Sequence, residues 1–245
     1  MRKREVLETL REGVSFYQKL GFESLPVTMT KGTEHLTAMK GRENLMSASE
    51  KTILLEKLRR EIGDCKRCKL SGKRTTIVFG EGDPDPQILF IGEAPGREED
   101  LQGRPFVGEA GTVLTRLINK MGFSREQVYI ANIVKCRPPL NRDPEAEEIE
   151  ACRGFLERQI AILSPRVIIS LGRISAATLS GRPGLKITAV RGKFFPYRGI
   201  PVMPTFHPAY LMRNPKDKWL TWDDALKVME KLGEGAGKTP ETTAR

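Results

Sequence analysis

The sequence predicts an α/β domain in which helices cover both faces of a mainly parallel sheet. Three observations carry this reading. Four apolar, strand-like runs occupy residues 87–91, 128–133, 166–171 and 200–204. Helical patterns separate them, near 111–121, 144–163 and 174–179. The alternation requires crossover connections, which bury a parallel sheet on both sides. A chain of 245 residues with 39% hydrophobic content can hold one sizeable domain with appendages.

In chain order, residues 4–20 place Val6, Leu7, Leu10, Val14, Tyr17 and Leu20 on one helical stripe, with Gly21 able to end it. The stripe could dock a partner, and packing on its own domain is the favoured use. Residues 21–50 are polar and aperiodic, a connector in which His35 reads as a surface histidine. A helix over 51–62 leads to Cys65 and Cys68. Asp143 followed by Pro144 reads as an N-cap with proline at the first helical position. Residues 233–245 have little to bury and are expected to be a disordered tail. The expected division is therefore 1–52, an amphipathic helix and connector; 53–232, the main domain; and 233–245, the tail.

Charge and cysteines narrow the function. The 41 Lys and Arg outnumber the 31 Asp and Glu, giving a formal net charge of +10 and a pI near 9.6. Such an excess attracts polyanions, nucleic acid foremost. No apolar run reaches the length of a membrane span, and the N-terminus lacks the apolar region of a secretory signal. A cytoplasmic protein without disulfides is expected. The four cysteines, Cys65, Cys68, Cys136 and Cys152, then read as a metal centre. Four thiolates suit tetrahedral zinc or an iron–sulfur cluster. The wide second spacing is unlike a zinc ribbon, which favours iron–sulfur.

Three polar segments begin where predicted strands end. They are Gly92-Glu93-Ala94-Pro95-Gly96, the stretch from Asn132 through Lys135-Cys136-Arg137-Pro138-Pro139, and His207-Pro208-Ala209-Tyr210-Leu211-Met212-Arg213. Open α/β sheets bind ligands beyond the carboxyl ends of their strands, so three such loops on one edge make a site. His207 is one of two histidines in the chain.

Taken together, GEAPGREED, GRPFVGEAG, NIVKCRPPLNRDP, HPAYLMRNP and the four cysteines resemble the family 4, iron–sulfur uracil-DNA glycosylases over roughly residues 55–230. The resemblance implies a three-layer α/β/α sandwich with a central mainly parallel sheet, here carrying an N-terminal helical extension. It also implies a 4Fe–4S cluster held by Cys65, Cys68, Cys136 and Cys152, and excision of uracil from DNA to leave an abasic site. The substrate would be uracil-containing DNA, single- or double-stranded, with no nucleotide cofactor and no membrane. A monomer is expected, with a replication or repair protein as the conceivable partner of the N-terminal helix.

By the same resemblance, Phe106 stacks on the flipped base and Asn132 reads its edge, with Gly92 and Ala94 lining the slot. The amide of Asn132 can donate to uracil O4 while its oxygen accepts from N3–H; cytosine presents the opposite pattern and would leave buried polar groups unpaired. His207 would stabilise the departing uracil anion by donating near O2. Glu93, Glu99 and Asn141 are the groups expected to position the attacking water, because relatives with GQDPYH carry an aspartate where Ala94 stands. Those relatives also place a tyrosine against thymine where Gly96 stands. Arg137 and Arg213 would clamp phosphates, and Leu211 would wedge into the base stack. The alternative is a non-catalytic or covalent uracil-DNA-binding protein of the same fold. The absence of an extra histidine between Cys136 and Cys152 favours turnover.

Overall fold

The computed structural model describes residues 46–233. The helix expected over 4–20, the connector with His35, and the tail beyond 233 lie outside the described residues. A compact unit begins at Ser47. Its first helix, α1 (Ala48–Ile62), starts where the Ser47 hydroxyl accepts from the Glu50 amide and the Glu50 carboxylate accepts from the Ser47 amide. This reciprocal cap lengthens the helix expected over 51–62 by one turn.

Six strands form one sheet in the order β1-β3-β2-β4-β6-β5. These are β1 (Glu81–Gly82), β2 (Ile88–Gly92), β3 (Tyr129–Asn132), β4 (Val167–Leu171), β5 (Phe195–Tyr197) and β6 (Ile200–Thr205). The four inner strands are parallel, and β1 and β5 pair antiparallel at the two edges. The inner four coincide with the four apolar runs of the sequence, and every residue of β2, β3 and β4 is buried. The edge strands span only two and three residues, too short to leave a pattern in the sequence.

Alternation along the strands builds the two cores. Leu89, Ile91, Ala131 and Ile168 face α1 and α4 (Ala146–Leu163), whose Leu55, Leu58, Phe155, Leu156 and Ile160 complete that layer. Ile88, Phe90, Ile130 and Ile169 face the opposite way, against Leu114 and Ile118 of α3 (Glu109–Lys120) and Val228 and Met229 of α8 (Lys218–Leu232). The result is the expected three-layer sandwich. Shorter helices complete it: α2 (Arg97–Gln102), α5 (Arg173–Ser180), α6 (Ile187–Val190) and α7 (Pro208–Arg213).

One expected cap is replaced. Helix α4 begins at Ala146, with Glu145 as its N-cap. The Glu145 amide donates to the Glu148 carboxylate at 2.7 Å, while Asp143 is drawn away into an ion pair with Arg173.

Register brings the strand tips level. Gly92 pairs with Asn132, and Leu171 with Thr205. The residues that follow, Glu93, Ile133, Gly172 and Phe206-His207, therefore emerge side by side on the carboxyl edge.

Candidate active site

A cavity of about 560 Å³ opens on that edge. Among its walls are Glu93, Ala94, Glu99, Phe106, Asn132, Asn141, His207 and Arg213, which gathers residues from loops far apart in the chain.

Asn132 ends β3 and is 1% exposed, yet its Oδ1 has no hydrogen-bond partner. A buried amide oxygen left open is costly unless a ligand meets it. The backbone carbonyl of the same residue accepts from Lys135 Nζ at 3.0 Å, so the strand end is held while the side chain stays free. Gly92 does not line the cavity; its role differs from the expected contact with a base. A Cβ there would stand 2.4 Å from Asn132 Oδ1 and 2.5 Å from the Phe106 ring, so the missing side chain lets those two groups come together.

Phe106 is buried in the left-handed region, with φ 51°. That conformation is strained for an aromatic residue and is held from outside. Arg125 donates to the carbonyls of Phe106 at 3.0 Å and Pro105 at 2.8 Å, and pairs with Glu81 at 2.7 Å. Gly111 adds the space, since a Cβ there would lie 1.9 Å from the Phe106 carbonyl oxygen. Sequence reasoning missed both residues, because neither touches the cavity.

Glu99 accepts from the backbone amides of Val107 and Gly108, each at 2.9 Å, and from Gly96 at 3.1 Å. It lines the cavity, but its carboxylate clasps the GEAPG turn to the Phe106 loop. Gly96 is fixed by the same clasp: a Cβ would meet Glu99 Oε2 at 2.6 Å. A side chain at this position would have to displace the Glu99 carboxylate from its clasp.

Glu93 stands apart. Burial first, and then the neighbouring Asp143 carboxylate, push it up to about 7, while Arg173 opposes the shift. A carboxyl group near half ionisation at neutral pH in a cavity wall is suited to accepting a proton from water. Asn141 also lines the cavity, but its Oδ1 already accepts from Arg137 Nε at 2.8 Å.

His207 caps α7, its Nδ1 accepting from the Ala209 amide at 3.2 Å. Burial, and then the Arg213 charge, hold the imidazole down to about 4. A neutral ring that accepts at Nδ1 carries its proton on Nε2, so it is a donor there. The Phe106 and His207 ring centroids lie 5.7 Å apart. Gly172, at φ 89°, passes so close that a Cβ would sit 2.9 Å from His207 Cβ. Sequence analysis overlooked it; a glycine directly after a strand was the available signal.

One expected DNA contact changes. Leu211 is 3% exposed and lines an apolar pocket beneath α7 together with Val113, Leu117 and Trp222, so it cannot act as a wedge without leaving its buried position. Its neighbour Met212 is 38% exposed and lines the cavity. Arg137 lies outside the cavity, bound to Asn141. Arg213 and Arg97 are exposed at the rim and form no ion pair with the described residues.

The four cysteines are free and line one small cavity together with Arg74 and Lys135. Among the described residues, no three His, Cys, Asp or Glu side chains converge tightly enough to grip a metal ion. The donor chemistry nevertheless suits a thiolate-bound cation. The Lys135 amide donates to Cys152 Sγ at 3.3 Å, and Arg74 reaches Cys136 Sγ at 3.5 Å. Burial pushes the Cys136 thiol up to about 11 and raises the Cys152 thiol as well, so without a cation these two stay neutral. Lys135, buried between this cavity and Asn132, is itself brought down to about 8 by burial. No helix among the described residues is long and apolar enough to cross a membrane.

Comparison with known proteins agrees with this geometry. The family described as the uracil DNA glycosylase superfamily matches residues 79–229. The chain is 47% identical over 184 residues to a type-4 uracil-DNA glycosylase of Sulfurisphaera tokodaii, covering 72% of this chain and 84% of that protein. A type-4 uracil-DNA glycosylase of Thermotoga maritima is 48% identical over 162 residues, 66% of this chain and 84% of the relative. One from Archaeoglobus fulgidus is 40% identical over 195 residues, 77% and 96% of the two chains.

Proposed function

The chain belongs to the uracil DNA glycosylase superfamily, among its type-4 members, and from that premise we propose how its own residues carry out the reaction. The enzyme is a monofunctional glycosylase that removes uracil from DNA in repair. The observation that carries the residue assignment is the open Oδ1 of buried Asn132 beside the Phe106 ring.

A base inside a duplex must first leave the stack, at a cost of a few kcal/mol. In the slot, Phe106 offers its face to the pyrimidine, and Arg125 keeps that ring in place. Asn132 Oδ1 accepts from uracil N3–H, and the amide nitrogen donates to O4. A cytosine would set like against like at both atoms, an unsatisfied pairing of about 1–3 kcal/mol for each group.

Cleavage of the N1–C1′ bond leaves the electron pair on uracil and positive charge on the sugar. His207 Nε2–H donates to O2 as negative charge grows there, and the Ala209 amide keeps the proton on that nitrogen. Glu93, in its ionised form, orients water toward C1′ and takes its proton. Glu99 acts as a positioning residue through its clasp, and Asn141 stiffens the loop on the far wall. Arg97, Arg137 and Arg213 bind phosphates.

Cys65, Cys68, Cys136 and Cys152 would hold the 4Fe–4S cluster, which would tie three chain segments together behind Asn132. The convergence of all four on one cavity, with N–H donors at two sulfurs, supports this reading. Metal analysis finding zinc in place of iron and inorganic sulfide would refute it.

The direct test of function incubates the protein with oligonucleotides holding uracil opposite guanine, uracil opposite adenine, single-stranded uracil, thymine opposite guanine, or cytosine. Free uracil release without strand cleavage is expected. Both Asn132→Ala and His207→Ala should lower kcat/KM by about a hundredfold or more. Variants that retain full activity would contradict the assignment.

A further inference from the structure

Among the large apolar residues described, the most exposed is Leu140, at 96%. It lies in the loop after Cys136, between cavity-wall residues Pro138 and Asn141. Nothing in the fold uses its side chain. Its backbone is also strained: φ is 54° and ψ 21°, and Asn141 follows at φ 53°. A branched residue held in the left-handed region and pushed into water is unfavourable twice over. Such an outlier points to use by a ligand.

The loop is stiff. Pro138 and Pro139 restrict it on one side. The Asn141 and Arg142 amides donate back to the Pro138 and Pro139 carbonyls, each at 3.1 Å, and Arg137 closes it on Asn141. Arg142 anchors it to fully buried Glu148 at 2.7 Å, and Asp143 pairs with Arg173. The apolar tip is therefore presented by a braced turn, as a group that must press bases apart should be.

Resting on the proposed base-flipping reading, we propose that Leu140 is the wedge that enters the base stack of duplex DNA where uracil is extruded. The residue first expected there, Leu211, is committed to the core. Leu140 gains what it lacks in the free protein, burial of its side chain between base pairs, while the rigid loop resists restacking of the parted bases. A wedge matters only where a stack exists, so its contribution is confined to duplex substrates.

The test compares wild type, Leu140→Ala, Leu140→Phe and Met212→Ala on the same uracil oligonucleotide, single-stranded and paired. For Leu140→Ala we expect kcat/KM on the duplex to fall about thirty-fold, equal to about 2 kcal/mol, with the single strand cleaved as by wild type. Leu140→Phe should keep duplex activity. The fluorescence rise of a 2-aminopurine beside the uracil on binding should vanish in Leu140→Ala. Leu140→Gly should unfold at a higher temperature than wild type, because the strain is relieved and no packing is lost. Equal effects of Leu140→Ala on both substrates, no effect on either, or a duplex-specific loss in Met212→Ala alone would overturn the proposal. A wild-type protein inactive on both strands would instead refute the function on which the wedge depends.

Discussion

His207 and Glu93 are driven in opposite directions by the same cause, exclusion from water. Burial disfavours the charged form of each, so the imidazole goes down to about 4 and the carboxyl up to about 7. The imidazole is thus held neutral around pH 7, and in the proposed mechanism it gives the leaving group a directed N–H. It does not require an ion pair that would also hold the product tightly. In the proposed mechanism Glu93 works as a carboxylate, which is populated as pH rises through about 7. The expected pH profile of kcat/KM climbs through that value, with no descending limb from His207, whose Nε2 proton is retained. Glu93→Gln should flatten the climb and lower the plateau by about a hundredfold. An unchanged climb would assign the limb to another group. The placement of both side chains on the carboxyl edge was legible in the sequence because each follows a strand. Their charge states were not, since those arise from the walls that tertiary packing builds. Nor was the commitment of Glu99 to three backbone amides, which depends on two loops meeting.

At the level of elements, the four inner strands could be read directly, because burial on both faces leaves continuous apolar runs such as Ile88–Gly92. Edge strands β1 and β5 and the true cap of α4 could not be read. The first two are too short for a pattern, and the third turns on competition between Arg173 and the helix for Asp143. Leu211 illustrates a further limit: sequence spacing placed it after His207, but only the turn of α7 decides which neighbour faces the core, and Met212 received the cavity side. In the proposed mechanism base binding rests on the Phe106 turn, whose support is remote. Arg125→Met should release the two carbonyls it holds and let the ring leave its strained conformation. A rise in KM for uracil DNA of about tenfold or more is expected, with a smaller change in kcat, since the lost energy is mostly binding. A fall in kcat with unchanged KM would show that Arg125 serves the chemical step instead.

For the whole molecule, the sandwich, the charge and the cysteine cavity serve one edge. The parallel sheet sets Gly92, Asn132, Gly172 and His207 near one edge, and the net charge of +10 favours association with a polyanion. The cysteine cavity is lined by Lys135 and Cys136, in the segment that runs from Asn132 to Leu140. The proposed chemistry depends most on the electronic state of one ring at the centre of that edge. Nitrogen-15 NMR of the two histidines, assigned with His35→Gln, measures it directly between pH 5 and 8. The predicted result is a His207 imidazole that is neutral throughout, protonated on Nε2 and unprotonated on Nδ1. An imidazolium at pH 7, or a proton on Nδ1, would contradict the account.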